Sequence, residues 1–144
     1  MIDLTTEFGQ RVKQHLDEEY FIWFTTVGTN MTPQPRPVWF IWEDDAFLIF
    51  SKPGARKVAH IKRHPNVALH FNTDDKADEN VIVFLSMAEI NASAPPAYEV
   101  PAYVENIRTG WLNSAVILKS SAGSTPWQFE SGRRSCVAGN TRKT

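Results

Sequence analysis

The sequence predicts a mainly β domain with flanking helices, an antiparallel barrel or sandwich, and three observations carry that expectation. Short β-branched and aromatic runs recur between turn residues, only two or three segments have helical periodicity, and the chain is 144 residues long. That length suits one domain, residues 1–144, able to bury roughly two-thirds of its unfolded surface without disulfides or metals. The apolar runs VWFIW (38–42) and AFLIF (46–50) are continuous rather than alternating. Both faces of such strands need cover. This predicts a homodimer, with one strand face inside the barrel and the other against the partner or helices.

The elements follow in order. Residues 1–19 carry an amphipathic helix over 3–18, in which Leu4, Phe8, Val12 and Leu16 share one face and Asp3 is the N-cap. Barrel strands with one basic helix occupy 20–91. The first is YFIWFTTV (20–27), followed by a Gly28-Thr29-Asn30 turn. Three prolines between 31 and 37 predict an edge, a bulge or an extended entry. Strands 38–42 and 46–50 flank the short acidic turn Glu43-Asp44-Asp45, which makes them a hairpin.

A helix over 55–63 directs Ala55, Val58, Ala59 and Ile61 to the sheet and ends at His64-Pro65. Residues 67–71 form the next strand, 72–80 a polar loop, and 81–90 a strand long enough to bend. A proline-rich turn then leads into a helix within 95–111, with Tyr103, Val104, Ile107 and Trp111 on one face. Residues 112–144 hold a closing strand or a tail.

Composition excludes several classes. The net charge is −1, so no polycation for nucleic acid is expected. A single-stranded RNA platform of Trp and Phe beside the cations of 52–63 is the distant alternative, and the absence of basic tracts elsewhere weighs against it. The lone Cys136 cannot form an internal disulfide, no apolar run reaches the ~18 residues of a membrane span, and the first residues lack an apolar leader. A cytoplasmic protein without membrane partner is expected.

One stretch points to chemistry. Directly after residues 46–50 come Ser51, a Pro53-Gly54 turn, Arg56 and Lys57, where a helix begins. A helix start offers unpaired N–H groups and a positive dipole end, and with a hydroxyl and two cations it suits a phosphate. His60 and His64 have the spacing of a zinc pair, but Lys57, Lys62 and Arg63 would repel a cation and no acidic third ligand lies nearby. No metal site is expected. Trp39 and Trp42 point to opposite faces, so one at most can stack on a ligand ring. There is no acid–base pair or nucleophile constellation.

The order RPVWF, acidic turn, FLIFS, Ala55-Arg56-Lys57, basic helix and HPNVALHF resembles the pyridoxamine 5′-phosphate oxidase-like, FMN-binding split-barrel family. Ala88-Glu89-Ile90 followed by APPAYEVPAY is similar to its branch of F420-dependent (deazaflavin- or flavin-dependent) oxidoreductases. The resemblance covers about residues 5–107. It implies a six-stranded antiparallel split β-barrel of Greek-key-like topology, dimeric, binding FMN or coenzyme F420 in grooves at the subunit interface. It also implies that Ser51, Arg56 and Lys57 hold the phosphate and that Pro37, Val38, Trp39 and Phe40 line the ring. Lys52 and Lys62 would meet the polar or acidic end of the cofactor.

The activity implied is that of a flavoprotein oxidoreductase passing a hydride between cofactor and a small unsaturated or carbonyl-conjugated substrate. A carrier or sensor of FMN, F420 or haem without turnover is the alternative. True pyridoxamine-phosphate oxidases carry an Arg-Leu-His-type motif near the C-terminus. The tail RRSCVAGNTRKT has no His, so that reaction is not expected. Thr125-Pro126-Trp127-Gln128-Phe129 resembles the family's late Thr-Pro-x-x-Phe element.

Overall fold

The computed structural model describes residues 2–73 and 81–106, with the backbone of 117–120, 126–129 and 137–138. The first helix, α1 (Glu7–Glu18), is capped by Thr6, whose hydroxyl accepts the Gly9 N–H at 3.0 Å. Asp3, expected as the cap, instead accepts the Thr5 hydroxyl at 2.6 Å and the Thr5 N–H at 3.0 Å, closing a turn before the helix. Those two bonds hold its carboxyl below the usual carboxylate range. Gly9 has no alternative here, since a β-carbon would lie 1.9 Å from the Asp3 carbonyl oxygen. The later start leaves Leu4 46% exposed, not on the packed face as expected, while Val12 and Leu16 are buried.

β1 (Phe21–Val27) pairs antiparallel with β2 (Pro33–Trp39) along its whole length. β2 ends the sheet path, and its prolines recur every second residue, so their missing N–H groups fall on the unpaired side. The run 38–42 is not one strand. It breaks at Phe40, which is 1% exposed and lies against Phe47 and Phe71 at ring distances of 5.5 and 5.8 Å. Beyond Phe40 the chain changes partner: β3 (Ile41–Glu43) forms a hairpin with β4 (Ala46–Phe50). Asp44 and Asp45 make the turn at φ 51° and 56°, the twin left-handed geometry that matches strand twist.

All of β4 is buried, as its unbroken apolar run requires. Phe47 and Ile49 enter the main core, and Leu48 and Phe50 enter a second cluster with Ile41, Ala94, Ala97 and Tyr103. The cover for that second face comes from this chain, from a single 3-10 turn (Ala97–Glu99) and the residues beside it. The two-faced character of β4 therefore needs no partner molecule.

α2 (Arg56–Arg63) buries Val58 and Ile61 but leaves Ala59, expected on the packed face, exposed. Its His60 Nδ1 lies 2.9 Å from the hydroxyl of buried Thr26, which ties the helix to β1. β5 (Asn66–His70) joins β1 to β6 (Val81–Asn91). The first half of β6 pairs with β5 and with β8 (Pro126–Phe129), and its second half with β7 (Ile117–Ser120), so one strand serves two sheet regions. β7 bridges β6 to β4, and β9 (Val137–Ala138) borders β8.

The path is β2-β1-β5-β6-β7-β4-β3. Among the described residues no ladder joins its ends, which the chain itself links through Phe40. α3 (Pro101–Asn106) buries Tyr103 but leaves Val104 48% exposed. Ile107, Trp111, Cys136 and loop residues 74–80 lie outside the described residues. Among those described, no helix is long and apolar enough to cross a membrane.

Candidate functional site

Buried β4 ends at Phe50, and the chain then turns sharply into α2. Ser51 is 6% exposed, and the Ala55 N–H closes the Lys52-Pro53-Gly54 turn on the Lys52 carbonyl at 2.9 Å. The helix that follows has Ala55 as N-cap with no side-chain cap, and no acidic residue in its first turn. Its positive end therefore faces an open cleft of about 610 Å³ lined by Phe50, Ser51, Lys52, Gly54, Ala55 and Lys57. Among the described residues no hydrogen bond uses the Ser51 hydroxyl, although it is buried in the cleft wall. An anion with several acceptor oxygens would satisfy that hydroxyl and the uncapped amides together.

The electrostatics agree. Burial, and then the nearby Arg36 cation, hold the Lys57 ammonium below the usual lysine range. Arg36 lies on β2 opposite Phe24, whose side chain turns into the core. It stands on the side of the sheet where α2 packs, since Thr26 of the same parity holds His60. Among the described residues the ion pairs are Lys13–Asp17 and His15–Glu19, both on or beside α1, so neither Arg36 nor Lys57 is neutralised by a carboxylate. Arg36 escaped the sequence reading of the site. Its signal was parity: counted through the edge strand, it falls on the inner side with Val38.

The other expected residues divide. Ser51, Lys52 and Lys57 line the cleft; Arg56 is exposed and outside its lining. Lys62 is exposed in the last turn of α2, six residues and so about 9 Å along the axis from Arg56, away from the cleft. Pro37 and Trp39 lie on the outer side of β2. Val38 and Phe40, at 7% and 1% exposure, send their side chains into the core, leaving only backbone for a ring to meet.

Trp39 lies 6.0 Å from Phe21 and packs on the second cluster, while Trp42 packs on Phe47 at 4.7 Å in the main core, so the two indoles serve opposite sides as expected. Phe50 belongs to the cluster that Trp39 touches and also lines the cleft. It meets Tyr103 edge-on at 4.3 Å. His60 is a packing residue and His64 caps α2. Among the described residues no group of His, Cys, Asp and Glu could hold a metal.

Residues 8–116 match the family described as Pyridoxamine 5′-phosphate oxidase. No curated protein sequence matches the chain. A conserved hypothetical protein of Mycobacterium tuberculosis superposes with TM-score 0.65 at 17% identity, over 85% of this chain and 84% of that one. An F420 reductase superposes with TM-score 0.61 at 18% identity, over 79% and 91%. The haem storage protein HutZ of Vibrio cholerae superposes with TM-score 0.56 at 13% identity, over 76% and 86%. At these identities the likeness is one of fold.

Proposed function

Since this chain belongs to the pyridoxamine 5′-phosphate oxidase family, we propose that it is a flavin- or deazaflavin-dependent oxidoreductase. It would hold FMN or coenzyme F420 and act on a small unsaturated or carbonyl-conjugated substrate. The observation that carries the reading is the cationic cleft at the start of α2, where among the described residues the Ser51 hydroxyl has no hydrogen bond and Arg36 and Lys57 have no carboxylate partner. Ser51, Lys52 and Lys57 would hold the phosphate with the first amides of α2, and Arg36 would face it from β2. Trp39, Pro37 and the backbone about Val38 would flank the ring. When bound, the ring supplies the hydride chemistry, and the protein orients it and excludes water. That division of labour suits a site whose titratable groups, among the described residues, are cations.

The proposal includes a homodimer that closes the groove. The outer side of β1, β5 and β6 carries Thr25, Val27, Ala68, Leu85 and Met87 about a groove of some 640 Å³ with no charged residue among the described residues of its lining. Leu85 and Met87 are 51% and 55% exposed, so the same patch offers knob and hole, as a two-fold contact requires. A second copy is the occupant that fits an uncharged, self-complementary face.

A carrier role is the second reading, favoured by the fold likeness to a haem storage protein. Titrating the purified protein with FMN, F420 and haemin, and following absorbance, separates the readings. Saturable FMN or F420 binding with substrate-driven reoxidation supports the enzyme. Haemin binding alone, with the cleft indifferent to both coenzymes, overturns it.

A further inference from the structure

The segment before α1, α1 itself and the β3–β4 hairpin enclose a groove of about 510 Å³. Among the described residues it shares no lining with the cleft at α2. Its apolar surface comes from Ile2 and Leu4, from Leu16 on α1 and from Trp42 on β3. The floor is fixed, because Leu16 is 7% exposed and Trp42 packs on Phe47 and Phe84 at ring distances of 4.7 and 6.5 Å. Leu4, which the late helix start leaves exposed, lines the same hollow. An apolar hollow of this size with a few polar groups about it is the usual form of a small-molecule site.

Three carboxylates line the groove as well, and each is held in its own way. Asp3 receives both Thr5 donors on one oxygen, Oδ1, at 2.6 and 3.0 Å, which orients the carboxylate while Oδ2 can still accept. Asp45 is half-buried and is placed by its left-handed backbone, one residue before the buried strand β4. Asp17 pairs with Lys13 one turn along α1, and Lys13 is the one cation in the described lining. Asp3 and Asp45, on two different segments, therefore set the sign of charge that the groove prefers.

The occupant has to match both features. An anion would meet the carboxylates, and a bare metal ion would leave Leu4 and Trp42 without a role. Asp3, Asp17 and Asp45 also do not come together as a group that could hold a metal. An ammonium on an apolar body uses everything present: the body covers Leu16 and Trp42, and the charge reaches the carboxylates through charge-assisted bonds. A cation held near an indole gains further attraction. We propose that this groove binds a small organic cation, an ammonium group carried on an aromatic or aliphatic body. It stands apart from the cofactor cleft, whose cations would repel such a ligand, and does not depend on what that cleft holds.

The test is isothermal titration of the full chain with 4-phenylbutylamine and with 4-phenylbutanol, which keeps the body and drops the charge. The amine should bind saturably at one site per chain and roughly tenfold or more tightly than the alcohol. Methylammonium, which is charge with little body, should bind far more weakly than 4-phenylbutylamine. Asp45→Asn keeps the turn, since Asn tolerates left-handed backbone. Combined with Asp3→Asn it should bring the amine down to the affinity of the alcohol, with an unchanged circular dichroism spectrum. In heteronuclear NMR the indole signal assigned to Trp42 through Trp42→Phe should move as the amine is added to the wild-type chain. An alcohol that binds as tightly as the amine, or an amine whose affinity survives both aspartate substitutions, overturns the proposal. So does a folded chain that binds no amine at millimolar concentration, or one in which other indole signals move and that of Trp42 does not.

Discussion

Arg36 on the edge strand lies close enough to Lys57 at the start of α2 for its charge to add to burial, the larger cause, in lowering the proton affinity of that lysine. Like charges kept together, with no carboxylate paired to either among the described residues, disfavour each other until an anion arrives. An anionic ligand would restore the proton affinity of Lys57, so binding takes up protons and weakens as pH rises. Below the lowered range of Lys57 the ammonium is charged with or without ligand, and pH has no effect through it. Isothermal titration with FMN in two buffers of different ionisation enthalpy reads the proton directly. Lys57→Arg, charged at every accessible pH, should bind without uptake; equal uptake by wild type and variant would place the proton elsewhere.

Removing a single cation should rank the site residues. Arg36→Ala and Lys57→Ala should each weaken FMN or F420 binding by about 1.5–3 kcal/mol, the range for hydrogen bonds to charged groups, or roughly tenfold to a hundredfold. Arg56→Ala and Lys62→Ala, both exposed and outside the cleft lining, should cost several-fold at most. Fluorescence titration of the four variants checks the order, and a larger loss at Lys62 than at Lys57 would move the phosphate to the far end of α2.

Thr26→Val keeps the shape of a side chain that is 2% exposed but strands its partner, His60, 2.9 Å away. The expected loss is about 0.5–1.5 kcal/mol in urea denaturation, the net worth of a hydrogen bond whose other partner, His60, is half-buried. Because the bond pins α2 to β1, the same variant should loosen ligand binding without touching the cleft.

Tyr103→Ala should cost about 3–5 kcal/mol, the range for removing a large buried ring, since it is 3% exposed and meets Phe50 edge-on at 4.3 Å. Tyr103→Phe should be far milder. Burial holds the Tyr103 hydroxyl protonated well above the usual phenol range, with the Phe50 backbone opposing it weakly. Spectrophotometric titration should therefore find one tyrosine that ionises only on unfolding.

Much of this was legible in the residues because pattern and burial agree. The run 46–50 announced a strand covered on both sides, and β4 is one; what the run could not say is that the segment about Ala97 and Tyr103 does the covering. Local pattern also could not reveal the break at Phe40, where an apolar residue continues the run while the ladder changes partner. At the N-terminus the cap is Thr6 and not the expected Asp3. Asp3 lost to Thr6 because its carboxylate is engaged by Thr5, two residues on. The cleft's cations were visible as a string, but Arg36 joins them only through pairing between distant strands, so the eye reading along the chain passes it by.

The break at Phe40 limits how this fold can change over evolutionary time. One inserted or deleted residue between Trp39 and Ile41 would turn β3 by half a pleat and exchange the sides served by Ile41 and Trp42. Length variation among descendants of this sequence is therefore expected at the Asp44-Asp45 tip, never at the junction, and a library of single-residue insertions scored for soluble protein would draw that boundary.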